Sequence, residues 1–165
     1  MVHDPSNHSR SFFSLVILAI STCLGLGFIP RGSATLGSIF GALLYLFFMA
    51  TNPFSASLVV ILIALSIGIF ICGQASKIFD DPDPKQVVYD EMVGVWTVFL
   101  FVPINLISIL FGILVFRIFD KFKWLGIRQI QFLKSGWGIM LDDIAAGLYA
   151  GIVLFLAKSI YEKLT

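Results

Sequence analysis

The sequence predicts an all-α protein: a polytopic helical bundle embedded in a membrane, with short or re-entrant hairpins and its polar loops gathered on one face. Composition is the first reason. Of the 165 residues, 58% are hydrophobic and only 13% charged, with a mean hydropathy of +0.97, against about half apolar and a quarter charged in soluble domains. A water-soluble domain of this length would need a far larger polar shell, so lipid is the expected solvent. The second reason is that uncharged apolar runs of helix length recur along the chain, separated by short polar connections. The third is that eight of the eleven basic residues fall in three of those connections.

A polar tail, residues 1–10, precedes a single membrane-embedded unit, residues 11–165. Ser11 to Phe28 carries no charge and approaches the ~20 residues that span a ~30 Å hydrocarbon core. It lacks a small-x-small cleavage site and reads as a membrane helix, not a secretory signal. Leu36 to Ala50 and Ser55 to Ile71 flank the turn signal Thr51-Asn52-Pro53-Phe54 and read as a helical hairpin. Val93 to Phe116 is too long for one untilted crossing. Its Pro103 and Asn105 should break it into two short helices or a re-entrant pair. Ile144 to Ile160, immediately preceded by Asp142-Asp143, reads as the closing helix.

The three polar connections are Pro30 to Gly37, Gly73 to Glu91 and Arg117 to Asp143. They contain Arg31, Lys77, Lys85, Arg117, Lys121, Lys123, Arg128 and Lys134, leaving only Arg10, Lys158 and Lys163 elsewhere. The excess of Lys and Arg assigns all three to the cytoplasm. Hairpins between them return every loop to that face. A single crossing from Val93 to Phe116 would instead separate Asp90 and Glu91 from Asp120, Asp142 and Asp143.

Several function classes are excluded. A net charge of +1 argues against nucleic acid as a partner, because a phosphate-binding surface needs clustered excess Lys and Arg. Cys23 and Cys72 lie in or beside apolar runs and read as packing residues, not a disulfide or zinc site. The histidines, His3 and His8, sit in the polar tail, so neither a histidine phosphatase nor a Ser-His-Asp hydrolase has its base in place.

Carboxylates at a membrane boundary are costly and usually functional. Asp90-Glu91 and Asp142-Asp143 both abut apolar runs, with Asp120 between them in sequence. Either pair alone would also serve to cap a helix; both on one face favour a shared site. Converging carboxylates without Cys or His match a hard cation such as Mg2+. The Gly, Ser and Thr loop from Gly25 to Ser38 fits either an anion cradle or close helix packing. Arg117, Lys121 and Lys123 fit either a phosphate or anionic headgroups. Trp96, Trp124 and Trp137 read as interfacial anchors. A small transporter or channel component with cation-binding carboxylates is the competing class. The absence of evident internal repeats, and acids at segment ends instead of along a pathway, weigh against it.

Three stretches, taken together, resemble one family. Gly25-Leu-Gly-Phe-Ile-Pro-Arg-Gly-Ser-Ala-Thr-Leu-Gly-Ser38 resembles the glycine-rich N-terminal signature of the phosphatidylglycerophosphatase A family. Asp83-Pro-Lys-Gln-Val-Val-Tyr-Asp-Glu-Met-Val-Gly-Val-Trp96 is similar to its second motif. Phe119-Asp-Lys-Phe-Lys123 and Gly136-Trp-Gly-Ile-Met-Leu-Asp-Asp-Ile-Ala-Ala-Gly147 resemble its C-terminal motifs, in the same order. The chain departs from the usual pattern at Ser33-Ala34, Trp124 and Ser135. The resemblance implies a Mg2+-dependent phosphatase of a bacterial inner membrane, acting at the cytoplasmic face. Its substrate would be a membrane phospholipid, phosphatidylglycerophosphate, converted to phosphatidylglycerol. It implies Asp90, Glu91, Asp142 and Asp143 as Mg2+ ligands, with Asp120 as a further catalytic carboxylate and Arg31, Thr35 and Lys123 on the phosphate. A phosphotransferase using a CDP-activated lipid would need an Asp-Gly-x-x-Ala-Arg element, which the chain lacks.

Overall fold

The computed structural model describes residues 12–164 apart from 125, 131 and 134. His3, His8, Arg10 and Lys134 therefore lie outside the described residues. Among these residues all regular structure is helical: α1 Phe12–Ser21, α2 Ser33–Phe48, α3 Phe54–Phe79, α4 Tyr89–Val98, α5 Leu106–Phe122, α6 Ile127–Ile130 and α7 Gly136–Leu164, with a 3-10 turn at Leu26–Phe28. This is the all-α architecture of a helical membrane protein. Two helices, α3 and α7, are long and apolar enough to cross a bilayer by length and composition; at 1.5 Å per residue they extend about 39 and 43 Å.

The first expected helix stops early. Instead of running to Phe28, α1 ends at Ser21, because Cys23, Leu24 and Gly25 take successive left-handed conformations with φ of 47°, 58° and 96°. A right-handed helix cannot continue through them. The Leu24 amide turns back onto the Ala19 carbonyl at 2.7 Å.

The expected hairpin is present as α2 and α3, but α3 continues eight residues past Ile71. Its inward face, Ser57, Ile61, Ala64, Gly68, Ile71, Cys72 and Ala75, follows helical spacing. Its outward face exposes Val59, Val60, Leu62, Ile63, Ile67 and Phe70. A helix apolar on both faces suits protein on one side and lipid on the other. Cys23 and Cys72 are free and buried, as packing residues.

The break expected at Pro103 and Asn105 separates α4 from α5. Asn105 caps α5 reciprocally: its side chain accepts from the Ser108 amide at 3.0 Å, and the Ser108 hydroxyl accepts from the Asn105 amide at 2.8 Å. All ten residues of α4 are buried, making it the centre of the bundle between α2 and α7. Trp96 is accordingly no interfacial anchor: it is buried, donating its indole N–H to the Gly41 carbonyl at 2.8 Å.

Close approach depends on missing side chains. A Cβ at Gly41 would lie 2.7 Å from the Met92 carbonyl oxygen, and one at Gly147 would overlap the Gly94 carbonyl and the Thr97 hydroxyl. Small residues on α7, Ala146, Gly147, Ala150 and Gly151, form the buried stripe against α4.

Two polar connections are shorter than expected, since α3 and α5 extend into them and α7 starts earlier. They reduce to residues 80–88 and 123–135. Asp120 therefore lies in the last turn of α5, and Asp142 and Asp143 in the second turn of α7, not in loops.

Candidate active site

The start of α2, the start of α4, the end of α5 and the start of α7 meet at one end of the bundle. They enclose a cavity of about 290 Å³. Of the eight residues singled out in the sequence, seven line it: Thr35, Asp90, Glu91, Asp120, Lys123, Asp142 and Asp143. Arg31 does not. It lies in an adjoining groove, with Lys85 and Gln86, because its left-handed backbone (φ 59°) precedes the helix start that reaches the cavity.

Asp90 and Glu91 occupy the first turn of α4, and Asp143 faces them from α7 across the Gly94 contact, where a Cβ on Gly94 would come within 3.0 Å of the Asp143 Cβ. Each of the three offers a carboxylate oxygen within 4.8 Å of the others. Asp90 Oδ1, Glu91 Oε2 and Asp143 Oδ2 are buried with no hydrogen-bond partner. Three converging acids with unmatched oxygens cost several kcal/mol each if left ionised and uncompensated. An oxygen-preferring divalent cation would satisfy them together, so these residues fit such an ion.

Asp142 is engaged differently. Its Oδ2 accepts from the Lys123 ammonium and its Oδ1 from the Asp143 amide at 3.0 Å. Lys123 reaches it because it ends α5 in a left-handed conformation (φ 48°), its amide donating to the Phe119 carbonyl at 2.8 Å. Burial alone would lower the Lys123 pKa. The Asp142 hydrogen bond and the nearby charges of Asp142, Asp143 and Asp120 outweigh that and raise it, so the side chain is a fixed cation at the cavity.

Arg117, for which the sequence left phosphate and anionic headgroups open, lines the cavity. One helical turn before Asp120, it places Nη1 2.7 Å from Asp120 Oδ2 and 3.8 Å from Glu91 Oε1. The angle leaves that nitrogen without a hydrogen-bond acceptor. The i,i+3 spacing was the signal available for its pairing with Asp120. Asp83 and Lys85 also line the cavity, flanking the buried Pro84. Lys121 is exposed and lies over the Phe122 ring.

Fold and cavity define a class: an all-helical protein with an oxygen-rich, cation-rimmed cavity at the ends of its helices, suited to an anionic ester. The sequence profile of the phosphatidylglycerophosphatase A family matches residues 19–158. Phosphatidylglycerophosphatase A of Escherichia coli is 33% identical over 135 residues, covering 80% of this chain and 78% of that protein. The Haemophilus influenzae protein of the same name is 32% identical, covering 79% and 82%. A Bacteroides thetaiotaomicron protein, provisionally named a phosphatidylinositol-3-phosphatase, is 34% identical and covers 88% and 95%. No solved structure matches the chain. The chain belongs to the phosphatidylglycerophosphatase A family and is a phosphatase, a phosphoric monoester hydrolase.

Proposed function

We propose that this phosphatase removes the terminal phosphate of phosphatidylglycerophosphate in a Mg2+-dependent reaction at the cytoplasmic face of a bacterial inner membrane, where the chain is a multi-pass protein. The observation that carries the reading is the convergence, in one cavity, of three carboxylates that each hold one buried oxygen without a hydrogen-bond partner, together with two cations, Lys123 and Arg117. Asp90, Glu91 and Asp143 would hold Mg2+, which when bound supplies positive charge to the phosphoryl oxygens and acidifies water. Lys123, held by Asp142, neutralises the incoming phosphate. Thr35, in the first turn of α2, adds a hydroxyl donor, and Arg117 keeps Asp120 oriented toward the cavity. A carboxylate of the cavity accepts the proton of the attacking water.

The charge pattern supports the cytoplasmic orientation: Arg31, Lys77, Lys85, Arg117, Lys121, Lys123 and Arg128 lie in the connections and adjoining helix turns at the cavity end, whereas Lys158 and Lys163 close α7. A transporter would carry its acids along a path between the faces, whereas here Asp90, Glu91, Asp120, Asp142 and Asp143 line a single cavity at one end.

The test is phosphate release by purified protein in mixed micelles, with and without Mg2+. Phosphatidylglycerophosphate and phosphatidylinositol 3-phosphate would be compared, the latter because of the Bacteroides relative's name. Mg2+-dependent release favouring the former is expected, abolished in an Asp90→Asn, Asp143→Asn double variant. Retained activity in that variant defeats the site assignment, and preference for the inositol lipid defeats the substrate.

A further inference from the structure

We infer that Arg31 and Lys85 form a second phosphate subsite, which binds the phosphodiester of the lipid headgroup and not the phosphate that is removed. The inference rests on the proposed substrate, whose headgroup carries a terminal monoester and an inner diester joined by a three-carbon glycerol bridge. The catalytic cavity and the groove beside it share three walls, Gly32, Ser33 and Lys85. The two therefore adjoin, within reach of one extended headgroup.

The groove is built from two segments fastened together. The Val88 amide donates to the Ser21 carbonyl at 2.9 Å, and Ser33 Oγ donates to the Lys85 carbonyl at 3.4 Å. Gly27 packs so closely on the Gln86 carbonyl that any side chain there would overlap it. These contacts bring Arg31 and Lys85 to the same groove, although they stand 54 residues apart in sequence.

The two cations differ from those in the cavity. Lys123 and Arg117 each face a carboxylate, whereas among the described residues neither Arg31 nor Lys85 makes an ion pair. Both are exposed and keep their charge for an external anion. Arg31 also holds a left-handed backbone (φ 59°), a conformation disfavoured in a residue with a Cβ. Glycine, as at Gly32 beside it (φ 106°), would meet that turn more cheaply, so what the position gains from arginine lies in its side chain. Phe28 and Ile29, 55% and 42% exposed, lie in the same groove. They give the groove an apolar flank beside its cations. A guanidinium and an ammonium lining one groove suit a diester oxygen pair, and the apolar flank suits its lipid side.

The test separates the two phosphates kinetically. In the Arg31→Ala, Lys85→Ala double variant, KM for phosphatidylglycerophosphate should rise roughly tenfold or more, the usual loss for charge-assisted contacts, with kcat within about twofold of wild type. Inorganic phosphate, which mimics only the monoester, should inhibit wild type and variant with the same constant. The conservative Arg31→Lys, Lys85→Arg exchange should recover most of the wild-type KM. An unchanged KM overturns the subsite, and so does a phosphate inhibition constant that rises together with KM, since the pair would then touch the departing phosphate. Wild-type protein that releases no phosphate from this lipid defeats the substrate assignment itself, an outcome distinct from either.

Discussion

Substituting Gly147 by Ala tests whether the spacing between α4 and α7 sets the geometry of the acids. The new methyl would overlap the Thr97 hydroxyl and the Gly94 carbonyl, which are themselves hydrogen-bonded at 2.7 Å. The hydroxyl can rotate, but the carbonyl belongs to the α4 backbone and cannot. Restoring an ordinary carbon–oxygen contact of about 3.3 Å requires the helices to part by on the order of 1 Å. Overpacking of this kind costs about 1–3 kcal/mol, or roughly 2–12 °C in Tm for a chain of this size. Asp143 lies one turn before Gly147 on the same buried face, so it moves away from Asp90 and Glu91 as the helices part. A misplacement near 1 Å costs about a hundredfold in rate. Phosphate release should therefore fall much further than stability, measured by micelle assay and thermal unfolding of the same preparation. Gly112→Ala is the comparator: its Cβ would meet the Phe99 and Val98 side chains at 3.3 Å, and these can yield, so activity should stay near wild type. Wild-type activity and Tm in Gly147→Ala would refute the argument.

The division of labour between adjacent aspartates gives a metal titration. Asp143→Asn should raise the Mg2+ concentration for half-maximal activity by at least about tenfold, while Asp142→Asn should leave it nearer wild type and lower kcat through Lys123; equal shifts would dissolve the distinction. Lys123→Met should cut kcat about a hundredfold and also lower Tm, because it leaves the buried Asp142 without its cation; full activity would remove Lys123 from the site. Trp96→Phe deletes the 2.8 Å bond to Gly41 and should cost about 1 kcal/mol, read as a Tm loss of roughly 2–4 °C with activity retained. Single cysteines at Lys85 and Lys121 should resist a membrane-impermeant thiol reagent in intact cells while one at Asn52 labels, the native Cys23 and Cys72 being buried; opposite labelling of the first two would contradict the cavity.

Much of this arrangement was legible because lipid imposes a simple grammar. Charges were rare, so Asp90-Glu91 and Asp142-Asp143 stood out. Pro103 and Asn105 announced the turn that brings both ends of the α4–α5 hairpin to one cavity. Helix ends were harder. Nothing in the composition of Gly73-Gln74-Ala75-Ser76 shows that α3 continues, since what keeps Gly73 helical is packing: a Cβ there would lie 2.7 Å from Ser135 Oγ, 62 residues away. The early end of α1 was hidden for the converse reason, because left-handed Cys23 and Leu24 carry ordinary apolar side chains. Trp96 was misplaced because aromatic residues near segment ends usually lie at the interface, and its partner, the Gly41 carbonyl, belongs to another helix. Arg31 was grouped with Lys123 by charge and motif, yet backbone conformation sends them to different cavities.

The short central helix explains why such a site can exist in so small a membrane protein. A full-length α4 would carry Asp90 and Glu91 on a segment that continues to the far side, and α5 would then end away from them. By stopping after ten residues and turning at Pro103, the chain brings Arg117 back to within ion-pair distance of both Glu91 and Asp120. The same shortness leaves α4 buried along its length, so its first-turn acids are reached only through the cavity, and their charge is felt at reduced dielectric. In that setting a cation is held strongly and a phosphate is drawn in only if the excess negative charge is offset. Lys123 and Arg117 do this from the end of α5. The hairpin thus supplies both halves of the electrostatics, acids from its first helix and cations from its second, and α7 completes the site with Asp143 across the glycine contact.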